Sequence, residues 1–204
     1  MKQIKNIIFD LGGVFLNIDY PKTQIAFETL GVSDFHDLFT QHHASPLFEN
    51  LEVGKISSSE FYDEFRSLSK TDLSNEQIEM AWNAMLLDFP KERLDWLEKI
   101  KLRYHIFLFS NTNQIHYDAF MKIYRDNFGA DNFNDHFIKA YYSQNIGLRK
   151  PYPESFEYIL AEQQLDRSET LFIDDTLKNI EGANKIGLQT MHLAAPKTIL
   201  DLHL

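Results

Sequence analysis

Asp10 closes a short apolar run, Ile7-Ile8-Phe9, and is followed at once by Leu11-Gly12-Gly13-Val14. An apolar strand that stops at a carboxylate and breaks into paired glycines sets the acid at the carboxyl edge of a sheet, where open α/β folds hold their ligands. Asp10 is therefore a candidate nucleophile, although Asp and Gly are also ordinary turn formers at a strand end. Three further sites share this character. Ser110-Asn111-Thr112 follows a second strand-like run and offers hydroxyls, an amide and backbone N–H groups to an anion, or a cap to the next helix. Lys150, held just ahead of Pro151 in Gly147-Leu148-Arg149-Lys150-Pro151, can neutralise a phosphoryl group or stand solvated as most lysines do. Asp174-Asp175 ends another run, and two adjacent carboxylates repel unless a cation or a proton offsets them. That pair suggests a hard metal such as Mg²⁺, the alternative being that one acid caps the following helix.

These residues can act together only if their strands run in parallel. Residues 105–109, 137–142, 170–173 and 188–193 form short runs rich in β-branched or aromatic residues, separated by helical patterns that include 93–103 and 153–163. The alternation predicts an α/β fold with a parallel sheet. The stretch 15–88 breaks it, with no convincing strand and several amphipathic helical windows. One window covers 60–68 with Ser57-Ser58-Ser59 as cap candidates; another covers 75–87, with Ile78, Trp82, Met85 and Leu86 at helical spacing and Ser74 and Gln77 in capping-box register. Its aromatics read as core rather than as a cofactor site. Residues 126–135, rich in Asn, Asp and Gly, are expected to form a surface loop.

With 204 residues, 44% hydrophobic and 14% aromatic, the chain can bury a core and carry a sizeable insertion. A net charge of -10, from 30 acidic against 20 basic residues, argues against nucleic acid or an anionic membrane as partner, so any phosphate must be held by a local site. The absence of cysteine excludes disulfides, thiolate metal sites and cysteine nucleophiles. Lys2 and Lys5 precede an apolar stretch, but Asp10 interrupts it too early for a signal peptide or a membrane span, and a cytoplasmic enzyme is expected. The eight histidines form no ligand motif, and His42-His43 is expected at the surface of the insertion.

Taken in order, Asp10, Ser110, Lys150 and Asp174-Asp175 resemble the four motifs of the haloacid dehalogenase (HAD)-like hydrolase superfamily, over the whole chain. The 100 positions from Asp10 to Ser110 leave room for a helical cap after the first motif, and the 40 from Ser110 to Lys150 leave none for a second. Within the superfamily these motifs, with Asn179-Ile180-Glu181-Gly182-Ala183, look most like bacterial α-D-glucose-1-phosphate phosphatases. The resemblance implies a HAD-like Rossmannoid parallel sheet flanked by helices, formed by residues 1–16 and 89–204, with a helical cap of 17–88 inserted after the first strand. It also implies a Mg²⁺-dependent phosphatase that acts on a small phosphorylated metabolite, a sugar 1-phosphate among the candidates, through an aspartyl-phosphate on Asp10. Ser110, the Asn111 backbone and Lys150 would bind the substrate phosphoryl group. Asp10, the Gly12 carbonyl and Asp175 would hold the metal, with Asp174 as a further ligand or partner.

Most phosphatases of the superfamily carry a second Asp two residues after the nucleophile as general acid and base, and here that position is Gly12. The glucose-1-phosphatase-like branch also has Gly there. The gap favours a leaving group that needs little protonation, with Asp19 as a weaker substitute acid. Two alternatives compete: a 2-haloacid dehalogenase-type hydrolase, which needs no metal and so makes little use of Asp174-Asp175, and a catalytically weak phosphate-binding or interaction module, against which Asp10, Lys150 and the acidic pair all count.

Overall fold

The computed structural model describes residues 3–40, 43–129 and 132–204. In chain order its elements are β1 (Asn6–Phe9), α1 (Tyr20–Thr29), α2 (Phe35–Leu38), β2 (Phe39–Thr40), β3 (His43–Ala44), α3 (Pro46–Glu52), α4 (Ser58–Ser69), α5 (Asn75–Asn83) and α6 (Lys91–Ile100). They continue as β4 (His105–Ser110), α7 (Gln114–Phe128), β5 (Lys139–Tyr142), α8 (Ser143–Ile146), α9 (Pro153–Glu162), β6 (Thr170–Asp174), α10 (Leu177–Lys185) and β7 (Gln189–His192). The main sheet has the order β5-β4-β1-β6-β7, and every neighbouring pair is parallel.

β1 is central and apolar on both sides because helices cover both faces of the sheet. Ile7 and Phe9 fall in one cluster with Leu94 and Leu97 of α6 and Phe120 of α7. Ile8, pointing the other way, joins Phe156 and Ile159 of α9 and Ile180 of α10. Complete burial of each such side chain stabilises by about 1.5–3 kcal/mol, which fixes the strand that carries Asp10.

The insertion builds a hydrophobic cluster of its own, around Phe27, Phe35, Phe48, Phe61, Phe65 and Trp82, to which Ile115 of α7 adds. Phe27 and Phe35 stack with ring centroids 4.4 Å apart. Both expected capping boxes form, Ser57 with Glu60 on α4 and Ser74 with Gln77 on α5. The chain enters and leaves this region as a paired ribbon: Asn17 N–H donates to the Asp88 carbonyl (2.9 Å), Leu87 N–H to Asn17 (3.0 Å) and Asp19 N–H to Met85 (2.9 Å).

Two expectations need correction. The insertion does contain strand, the short antiparallel pair β2 and β3, too brief for any alternation to register in the sequence. Nor is 126–135 simply a surface loop: α7 runs on to Phe128, and a 3-10 turn at Phe133–His136 carries Phe133 fully into the core, so one buried aromatic overrides the polar composition around it. His42 and the side chain of His43 lie outside the described residues. Among the described residues no helix is long and apolar enough to cross a membrane.

Candidate active site

β1 lies between β4 and β6 with Phe9 in register with Leu108 and Ile173. The next residues therefore reach the carboxyl edge together, and Asp10 N–H donates to the Ile173 carbonyl at 2.9 Å. The turn after Asp10 is wound on one acceptor: the N–H groups of Val14, Phe15 and Leu16 all reach the Leu11 carbonyl. Among the described residues, the hydrogen bonds of this turn leave the Gly12 carbonyl unused. Gly13 takes a φ of +70°, open to glycine at little cost, and packs against the Asp175 carboxylate.

Lys150 is 1% exposed, and its ammonium bridges two acids, 2.7 Å from Asp10 Oδ1 and 2.7 Å from Asp174 Oδ2. Asn111 holds the lysine in place by a reciprocal pair: Lys150 N–H donates to Asn111 Oδ1 and Asn111 Nδ2 donates to the Lys150 carbonyl, both at 2.9 Å. Gly182 lets α10 come close against the Pro151 carbonyl, where any Cβ would overlap it. Asp174 is fully buried and also accepts from Thr176 N–H (2.8 Å) and Asn179 Nδ2 (3.1 Å to each oxygen). Ser110 is buried at the end of β4 and lines the cavity beside Asp10.

Oxygen atoms of Asp10, Asp174 and Asp175 all lie within 4.8 Å of one another. Such a group of hard oxygen donors fits a divalent cation of the Mg²⁺ type. Burial pushes the Asp10 carboxyl up to about 8, the pull of Lys150 being outweighed with help from Asp174 and Asp175. Asp175 is raised by the same causes, burial first and Asp174 second. Burial alone would lower the Lys150 ammonium, but Asp10 and Asp174 more than reverse it, so its pKa is raised. Three carboxylates beside one ammonium are short of positive charge, which is what a bound cation corrects.

A cavity of about 250 Å³ opens over Asp10, with the insertion supplying Tyr20, Glu52, Trp82 and Met85 to its wall. Arg149 crosses from the core to α3, where it pairs with Glu49 and, at 2.9 Å, with Glu52, whose own pKa is raised by burial. His116 of α7 stacks on Trp82 and lies 2.8 Å from Asn83 Oδ1 through Nδ1. The structure thus brings Asp10, Gly12, Ser110, Asn111, Lys150 and Asp175 to one cavity wall, with Asp174 behind them; Asp19 is not on that wall. Arg149, Glu52, Trp82 and His116 escaped sequence reasoning. Only Arg149 had a signal, its place next to Lys150 in the third motif.

A family model described as haloacid dehalogenase-like hydrolase matches residues 4–187. The chain belongs to this family. As a HAD-like hydrolase it is 33% identical over 190 residues to the D-ribitol-5-phosphate phosphatase of Bacteroides thetaiotaomicron, a match covering 92% of this chain and 91% of the relative. It is 26% identical to the sesquiterpene phosphatase astK of Aspergillus oryzae, over 93% of this chain and 89% of that protein. The HAD family enzyme BT-2542 from B. thetaiotaomicron, crystallised as a mutant in complex with magnesium and inorganic phosphate, superposes with a TM-score of 0.87 at 34% identity, covering 95% of each chain. The α/β architecture is thus that of the HAD-like hydrolases, while glucose 1-phosphate is not the substrate that names these relatives.

Proposed function

We propose that this HAD-like hydrolase is a Mg²⁺-dependent phosphatase that cleaves a small phosphorylated metabolite, a sugar 1-phosphate or a sugar-alcohol phosphate, through phosphorylation of Asp10. The observation that carries the reading is the Lys150 ammonium set 2.7 Å from Asp10 within a trio of carboxylates of which Asp10 and Asp174 are buried and Asp175 half-buried. Held by Asp10, the Gly12 carbonyl and Asp175, Mg²⁺ supplies the positive charge that lets a carboxylate meet a phosphate. An Asp10 carboxylate oxygen attacks phosphorus as the bond from phosphorus to the leaving-group oxygen breaks. Water then attacks the aspartyl-phosphate, releasing inorganic phosphate and restoring the Asp10 carboxylate. Lys150, Ser110 and the Asn111 backbone hold the transferring oxygens while charge redistributes. Asp174, whose oxygens already accept from Lys150, Thr176 and Asn179, orients the lysine rather than serving chiefly as a ligand.

Residues 17–88 act as a cap that closes over the cavity and selects the leaving group. The phosphatase names of the two relatives from B. thetaiotaomicron and A. oryzae support this reading over a metal-free dehalogenase, as does the carboxylate trio. A panel of phosphorylated metabolites assayed for phosphate release with and without Mg²⁺ tests it. Release should require Mg²⁺, and Asp10→Asn, which keeps the shape but loses the nucleophile, should fall well below about a tenth of wild-type kcat while remaining folded. Retained turnover in that variant would remove the covalent route.

A further inference from the structure

Ser110 and Tyr142 are in register on the neighbouring strands β4 and β5, so the residues after them meet at the carboxyl edge of the sheet. Ser143 is fully buried there and does not line the cavity. A serine at the start of a helix ordinarily turns its hydroxyl onto that helix's own N–H groups. The Ser143 hydroxyl makes no such bond on α8 and reaches Thr112 instead, 31 residues back along the chain. Its Oγ accepts from Thr112 N–H and donates to the Thr112 carbonyl, both at 2.9 Å.

This clasp uses both functions of one hydroxyl on a single residue, and so fixes the peptide planes on either side of Thr112. The peptide between Ser110 and Asn111 is thereby held from both sides, by strand pairing at Ser110 and by Ser143 at Thr112. Its N–H, that of Asn111, has no acceptor among the described residues, while Ser110, Asn111 and Thr112 all line the cavity. Two reciprocal pairs, Ser143 with Thr112 and Asn111 with Lys150, thus lead to the ammonium that stands between Asp10 and Asp174. We infer that Ser143 is a positioning residue for phosphoryl transfer, which holds the Asn111 N–H in place for the phosphoryl oxygens without touching them itself. The inference rests on the phosphatase reading and adds to it a residue outside the cavity on which phosphate binding depends. A donor fixed before the substrate arrives needs no reorganisation during the reaction. Without the hydroxyl, the Thr112 N–H and carbonyl must turn to other partners, because buried backbone groups rarely stay unpaired, and the Asn111 N–H turns with them.

The test measures, in wild type, Ser143→Ala and Ser143→Cys, the affinity of Mg²⁺-loaded protein for inorganic phosphate by calorimetry and kcat/KM for D-ribitol 5-phosphate and acetyl phosphate. Cysteine nearly keeps the volume of serine, so it leaves the fold in place while offering only a weak S–H. Both variants should bind phosphate about tenfold more weakly, the effect of one lost hydrogen bond. The phosphoryl group is common to both esters, so kcat/KM should fall by the same factor on each, with Mg²⁺ affinity unchanged. A role in stability alone would lower Tm and leave these constants of the folded protein at their wild-type values. Phosphate affinity equal to wild type in both variants, or a weakening matched by an equal loss of Mg²⁺ affinity, would overturn the inference while leaving the phosphatase reading in place. Wild type that releases no phosphate from any ester of the metabolite panel would instead remove the phosphatase reading, and this one with it.

Discussion

Gly13 stands directly against the carboxylate of Asp175: a Cβ added there would overlap Oδ2, and the backbone φ of +70° already disfavours any side chain. Gly13→Ala should therefore push Asp175 out of the carboxylate trio and add backbone strain of about 1–3 kcal/mol. Calorimetric titration should show Mg²⁺ affinity weakened by about tenfold or more, since one hard ligand is displaced. Gly31, with a φ of +91° and open space around it, is the control: Gly31→Ala should bring strain without a change in metal affinity. Equal Mg²⁺ affinity in both variants would place the metal away from Asp175.

The protonation of Asp10 ties stability to pH and metal. Its pKa in the folded chain is raised, chiefly by burial, from 3.8 to about 8. A carboxyl that binds its proton more tightly when folded contributes stability that is full below its unfolded pKa and is lost as pH rises through the folded one. Metal-free protein should accordingly lose thermal stability towards alkaline pH. Mg²⁺ takes over the charge balance from the proton, so the rise in Tm it produces should grow from about pH 6 to about pH 9. A metal-induced shift that is constant over that range would mean Asp10 is already ionised without metal.

Asp174 is a structural acid, whatever else it does at the site. It accepts from Lys150 at 2.7 Å while fully buried, and Thr176 N–H and Asn179 Nδ2 fill its remaining lone pairs. Asp174→Asn would turn an N–H donor toward those donors and leave Lys150 with one counter-ion, at a cost of about 3–5 kcal/mol. Chemical denaturation should register that loss, and a change under about 1 kcal/mol would show that Lys150 does not depend on Asp174.

The grouping of Asp10, Ser110 and Asp174 was legible because each stands at the end of an apolar strand, and a parallel sheet brings strand ends together whatever lies between them. The rule alone left each of them a turn or cap alternative, and Lys150 a solvated one; only their order along the chain, matching the four motifs of the family, joined them into one candidate site. The side of the cavity lined by the insertion was not legible. His116 meets Asn83 across 33 residues and Arg149 meets Glu49 across 100, through contacts set by how the insertion packs on α7 and α8, and no periodicity encodes such packing. The run 126–135 misled for a related reason: its polar composition gave no warning that Phe133 is a core residue.

Gly12 carries the last prediction. No side chain at that position can protonate the leaving group, and the absence of a positioned acid costs about 10²–10⁴ in rate. The loss should fall most heavily on poor leaving groups, so kcat/KM should be higher for a sugar 1-phosphate than for the 6-phosphate of the same sugar, a comparison that holds the size and polarity of the leaving group nearly constant. Glu52, buried on α3 and raised in pKa by that burial, is the carboxyl from the insertion best suited to take over. If the two esters react alike, Glu52→Gln should restore the difference, which would assign Glu52 as the acid in place of the missing aspartate. Restoring the aspartate itself needs room. A Cβ on Gly12 would lie 3.3 Å from Ile18 Cγ1, tighter than ordinary contact, so Gly12→Asp should be combined with Ile18→Ala. That double variant should flatten the dependence on leaving group, bringing the rate on the 6-phosphate up towards that on the 1-phosphate. A dependence as steep as in the parent would show that proton transfer to the leaving group is not what Gly12 limits.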